Sequence, residues 1–116
     1  ELKRLAQVAD IPVIALCQVN RDAQGQMPTL AQLRDSGSIE QDADNVIFLH
    51  RPESHDDRSI HKEDVQGFYQ VGQAGNVYIS INIAKQRNGS VGMCNVIFNP
   101  ETMTYTQILR TEDVKA

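Results

Sequence analysis

Residues 77–89 read VYISINIAKQRNG. Val77, Ile79, Ile81 and Ile83 alternate strictly with Tyr78, Ser80, Asn82 and Ala84, and a period of two is the signature of a strand with distinct faces. The pattern predicts a strand here, a tight hairpin turn at Asn88-Gly89, and a return strand in MCNVIF, residues 93–98. Asn99-Pro100 then punctuates the chain before a last strand in MTYTQIL, residues 103–109. Strand geometry projects Lys85 and Arg87 to one side. Two cations so placed, in a chain of formal net charge −4, can hold an anion.

Outward from that hairpin the pattern changes. PVIALC (12–17) and NVIFLH (45–50) are continuous apolar runs, which suits strands covered on both faces, as parallel strands of α/β proteins are. Leu2, Leu5, Ala6 and Ala9 repeat at helical spacing, and Pro12 disfavours helix in the residue before it, so an amphipathic helix ends near Asp10. Thr29 with Gln32 forms a capping box for a short helix through Leu30 and Leu33, which Gly37 terminates. Ser38 with Gln41 repeats the signature and opens a second helical turn in SIEQDAD. Residues 52–76 are polar, carry Pro52, Gly67, Gly72 and Gly75, and lack sustained periodicity, which predicts an exposed loop. The expected architecture is α/β, a mainly parallel sheet ending in an antiparallel hairpin, formed by residues 1–116 as one unit.

A chain of 116 residues is one domain long. With 41% hydrophobic and 22% charged residues it matches soluble globular composition. No apolar run approaches the roughly 20 residues of a bilayer span, so a membrane protein is not expected. The acidic balance excludes bulk electrostatic coating of nucleic acid and leaves only local contacts. Cys17 and Cys94 lie inside apolar runs, which predicts reduced core thiols in a cytoplasmic protein. The chain begins without Met and already in helical periodicity, as a piece of a longer protein would.

Candidate chemistry is sparse. Gln18, at the carboxyl end of PVIALC, stands where open α/β sheets bind ligands, and the ordinary alternative is a solvated strand end. LRDSGS (33–38) combines a guanidinium, hydroxyls and a glycine that frees backbone N–H groups. Such a segment can grip a phosphate backbone, although helix capping alone explains Ser36, Gly37 and Ser38. His50, His55 and His61 fall near acids but match no helical ligand spacing, so no metal site is assigned. Nor does the sequence contain a G-x-x-x-x-G-K-[ST] phosphate loop.

Three stretches together resemble the carboxyl-terminal ATPase domain of DnaB-type replicative DNA helicases, a hexameric RecA-like family. They are PVIALCQVNR (12–21), LRDSGSIEQDADNVIFLHR (33–51) and IAKQRNG (83–89). The middle motif is the most specific. The resemblance implies the second half of a motor domain, lying after the phosphate loop, the catalytic Glu and the metal-associated Asp. Mg2+ and most of the ATP would then be bound by parts outside this segment. Gln18 matches the position that couples the γ-phosphate to the DNA-facing loops. Arg34, Asp35 and Gly37 match the channel loop that holds single-stranded DNA. Lys85 and Arg87 match the pair that reaches the ATP of the adjacent subunit in a homo-hexamer, with Arg87 as arginine finger. Primase and a helicase loader are the further partners implied.

Cys17 stands where the family carries a small hydroxyl residue, Asp35 replaces a Glu, and Ser90 replaces a Pro. The excursion at 52–76 is longer than the family connection. The rival readings are another RecA-like recombination or repair ATPase, and a non-catalytic module using the same segments only for DNA or oligomer contacts.

Overall fold

The computed structural model describes residues 2–19, 27–31, 33, 39–53, 60 and 75–108. Their elements are α1 (Leu2–Ala9), α2 (Ile39–Asp42), β1 (Asn45–His50), β2 (Val77–Gln86), β3 (Gly92–Asn99) and β4 (Thr104–Gln107). α1 stops as expected, with Asp10 at a left-handed φ of 53°. The Ile11 N–H donates back to the Ala6 carbonyl at 3.2 Å, the bond that closes a Schellman cap. Thr29 precedes a short 3₁₀ turn at Leu30, Ala31 and Leu33. α2 occupies the second expected helical turn, while Ser36, Gly37 and Ser38 lie outside the described residues.

The strictly alternating stretch becomes the centre of the sheet. β2 pairs with β1 on one side and β3 on the other, and β4 adds to β3, giving the order β1-β2-β3-β4. The α/β class stands, but the expectation of a mainly parallel sheet is corrected: all the described ladders are antiparallel. The parallel expectation for NVIFLH rests on its being apolar throughout. Such a run says that both faces shed water and says nothing about which way its neighbour runs.

Two further expectations fail for one physical reason. PVIALC forms no strand, and Ile14 and Leu16 are 88% and 95% exposed. A strand exists only against a hydrogen-bonded neighbour, and none of the described strands flanks this run. Cys17 is therefore exposed rather than in the core, and so is Cys94. Cys94 sits opposite Ile81 on the open side of the sheet.

The sheet's two faces differ in an unexpected sense. One face buries Val46, Phe48 and His50 from β1, Tyr78 and Ser80 from β2 and Asn95 from β3. Leu33, Val46 and Phe48 form one cluster, packed by Val19, Leu30, Ile39, Ala43 and Ala84. Ile60 and Tyr78 form a second, with Ile97 and Ile108. The other face carries Ile47 and Leu49, 58% and 64% exposed, opposite Ile83 and Ile81. The face with the polar residues of β2 is thus the covered one. Most of the 52–76 segment lies outside the described residues, yet Pro52 and Ile60 within it are buried.

The connection after β2 also differs from a tight hairpin. Its ladder with β3 ends at Ile83 opposite Gly92, while Lys85 and Gln86 continue against Val46 and Asn45 of β1. A two-residue type I′ turn needs positive φ at both central positions, and neither Asn88 nor Gly89 has one. The cationic end of β2 is held by β1 and the segment before it.

Candidate functional site

Lys85 and Arg87 are brought to one place, as the spacing predicts, but each meets a partner within the chain. The Lys85 ammonium donates to the Glu40 carbonyl at 2.8 Å and to the Gln41 carbonyl at 3.4 Å. These acceptors belong to the last turn of α2, where helix carbonyls lack partners and the dipole favours a cation. The Arg87 Nη1 lies 2.7 Å from Asp44 Oδ1, and the Arg87 backbone N–H donates to the Asp44 carbonyl at 3.0 Å. Lys3 of α1 approaches the same Asp44 oxygen at 3.6 Å. Both members of the Arg87–Asp44 pair are 53% exposed, so the contact adds at most about 1 kcal/mol to stability.

The remaining candidates are less closely joined. Gln18 is exposed at the end of the unpaired PVIALC run, one residue before Val19 turns into the core beside Leu33 and Phe48. Arg34, Asp35 and Gly37 lie outside the described residues. Leu33 before them is buried and Ile39 after them is half-buried, and both belong to the same apolar cluster. Among the described residues no group of three or more His, Cys, Asp or Glu side chains could hold a metal.

Sequence reasoning missed Asp44. Charge pattern offered the signal: α2 carries Glu40 and Asp42 and runs straight into Asp44. Acids at a helix carboxyl end oppose the dipole and call for a cation from elsewhere.

Comparison with known proteins decides the family. The profile described as the DnaB-like helicase C terminal domain matches residues 1–107. The chain belongs to the DnaB-like helicase C-terminal domain family. It is 40% identical over 97 residues to the replicative DNA helicase DnaB of Treponema pallidum, covering 84% of this chain and 17% of that protein. It is 38% identical over 116 residues to the replicative DNA helicase DnaC of Bacillus subtilis, covering 97% of this chain and 22% of that one. The chain therefore spans about a fifth of the length of the curated relatives it matches. A solved structure of a DnaB-like replicative helicase, described with its interactions with primase, superposes with a TM-score of 0.68 at 32% identity, over 93% of this chain and 24% of that one. A solved ATPase domain matches with a TM-score of 0.69 at 31% identity, over 93% of this chain and 34% of that one. The RecA-like reading of the DnaB-type fold holds. No helix among the described residues is long and apolar enough to cross a membrane.

Proposed function

We propose that this chain is the part of an ATP-dependent replicative DNA helicase that presents a DNA-channel loop and a trans-acting arginine finger. The observation that carries this reading is the convergence of Lys85 and Arg87 on residues 40–44. In sequence that segment directly follows Arg34, Asp35 and Gly37, so the residues that would face DNA and those that would face nucleotide share one short stretch of chain. In a homo-hexamer, Arg87 would stabilise charge developing on the transferred phosphoryl group of a neighbour's ATP. Lys85 would exchange the Glu40 and Gln41 carbonyls for phosphate oxygens. Gln18 would sense the γ-phosphate, and Arg34, Asp35 and Gly37 would hold the backbone of single-stranded DNA.

Cations suit a polyphosphate. Mg2+ and the phosphate cradle would be supplied by other parts of the full-length protein. A cytoplasmic replication machine containing primase and a loader completes the proposal; the primase described with the matched helicase structure supports that partner.

The test is Arg87→Ala in the full-length polypeptide. DNA-stimulated ATP hydrolysis should fall by about 1000-fold, the scale of an arginine finger, with nucleotide affinity nearly unchanged. Normal turnover would refute the finger assignment.

A further inference from the structure

We propose that Asp44 is a positioning residue for Arg87, fixing the direction in which the guanidinium leaves the β2 tip. The inference rests on the reading of Arg87 as the finger. Its structural basis is the double attachment between these two residues. The Asp44 carbonyl receives the Arg87 N–H at 3.0 Å and fixes the backbone. The Asp44 carboxylate takes Nη1 at 2.7 Å and fixes the end of the side chain. Between those two points the long, flexible arginine stem loses much of its rotamer freedom before any phosphate arrives.

The geometry favours positioning over storage or stability. At 53% exposure on both sides the pair is too wet to stabilise the fold appreciably. A guanidinium has several N–H donors arranged in a planar fork. A bond through Nη1 therefore leaves donors able to meet a phosphate oxygen, and Arg87 need not release Asp44 to act. Asp44 is itself well anchored. It links α2 to the first residue of β1, and the Ala43 N–H beside it donates to the Ile39 carbonyl at 3.0 Å. The connection that carries Asp44 is thus only two residues long, pinned between the end of α2 and the start of β1. Lys3, at 3.6 Å from the same oxygen, is the more distant cation, so Arg87 is the principal partner of this carboxylate among the described residues.

A residue acting through another leaves a distinct kinetic mark. The assay is steady-state ATP hydrolysis with saturating single-stranded DNA, using full-length protein whose ring assembly has been checked by light scattering. Asp44→Asn keeps the shape and removes the charge. It should lower kcat by about tenfold, as loss of an orienting outer partner does, with KM for ATP within about twofold because ground-state binding is untouched. Asp44→Glu should recover most of the loss, and it serves as the sole probe if the Asn variant fails to assemble, with a drop of about threefold expected. In an Arg87→Lys background, read by single-turnover hydrolysis at high enzyme concentration, Asp44→Asn should cost little more, since the fork it orients is gone. Unchanged or raised kcat in Asp44→Asn overturns the proposal, as does an equal fold-loss in both backgrounds. Arg87→Ala run alongside separates the two ideas. If that variant turns over normally the finger reading fails, whereas a dead Arg87→Ala with an unaffected Asp44→Asn refutes only the positioning role.

Discussion

Ser80 lies directly opposite His50 across the β1–β2 ladder, and both are buried. Asn95 extends the row on β3, opposite Ser80. Ser80 is fully enclosed at 0% exposure, and Ser80, His50 and Asn95 each have an interaction partner. Replacing Ser80 with Ala deletes the hydroxyl without adding bulk. The change should destabilise the domain by about 1–3 kcal/mol, because a neighbour's polar group is left unsatisfied in a dry site. Urea denaturation measures it, and an unchanged midpoint would remove any structural role for the row.

Lys85 should also have a role that is readable without nucleotide. Its ammonium closes the carboxyl end of α2 through the Glu40 and Gln41 carbonyls. Lys85→Met keeps the stem and removes the charge, so the last turn should fray by about 0.5–1 kcal/mol. Hydrogen exchange at the Ala43 amide, bonded to Ile39, would then speed up by about two- to fivefold. No change in that rate would mean the cap is unimportant.

β1 offers a paired test of which face is covered. Phe48 is buried against Leu33 and Val46, whereas Ile47 beside it is 58% exposed. Phe48→Ala should cost about 3–5 kcal/mol. In the 116-residue chain, Ile47→Ala should cost under about 1 kcal/mol. Equal losses in thermal unfolding would contradict the described facing.

The same exposure predicts behaviour in solution. Ile47, Leu49 and the partly covered isoleucines of β2 form a contiguous apolar surface, and contiguous surfaces of that kind associate. The isolated chain should self-associate in light scattering at micromolar concentration. Leu49→Lys should shift it toward monomer, and an unaltered size distribution would place the contact elsewhere.

Some of this is legible in the residues and some is not. The strict alternation at 77–84 yields β2 and its return strand, because period two is local information. Capping chemistry locates α2, and the i, i+2 spacing foretells that Lys85 and Arg87 reach the same short segment, residues 40–44. Pairing direction is beyond reach. In 45–50 the apolar run is equally consistent with parallel and antiparallel neighbours, and 12–17 carries the composition of a strand without a described partner to make it one. Cys17 is misplaced for that reason, and Cys94, although paired opposite Ile81, because its face of the sheet is left uncovered. The Asn88-Gly89 dipeptide suggests a type I′ turn, yet neither residue takes a positive φ, and a Cβ at Gly89 would meet only the movable end of the exposed Gln86 side chain. Asp44 escapes notice because the acids around it call for a cation without saying which distant residue supplies it.

The tip of β2 changes partners before it ends. Past Ile83 it leaves β3, and Lys85 and Gln86 stay zipped to β1, while residues 88–91 are exposed. The connection beyond the cations therefore lies outside both ladders. New chain termini opened at Ser90, or a reporter peptide spliced in there, would leave Arg87 seated on Asp44, making that short connection a place where the polypeptide can be cut and re-joined without disturbing the basic pair.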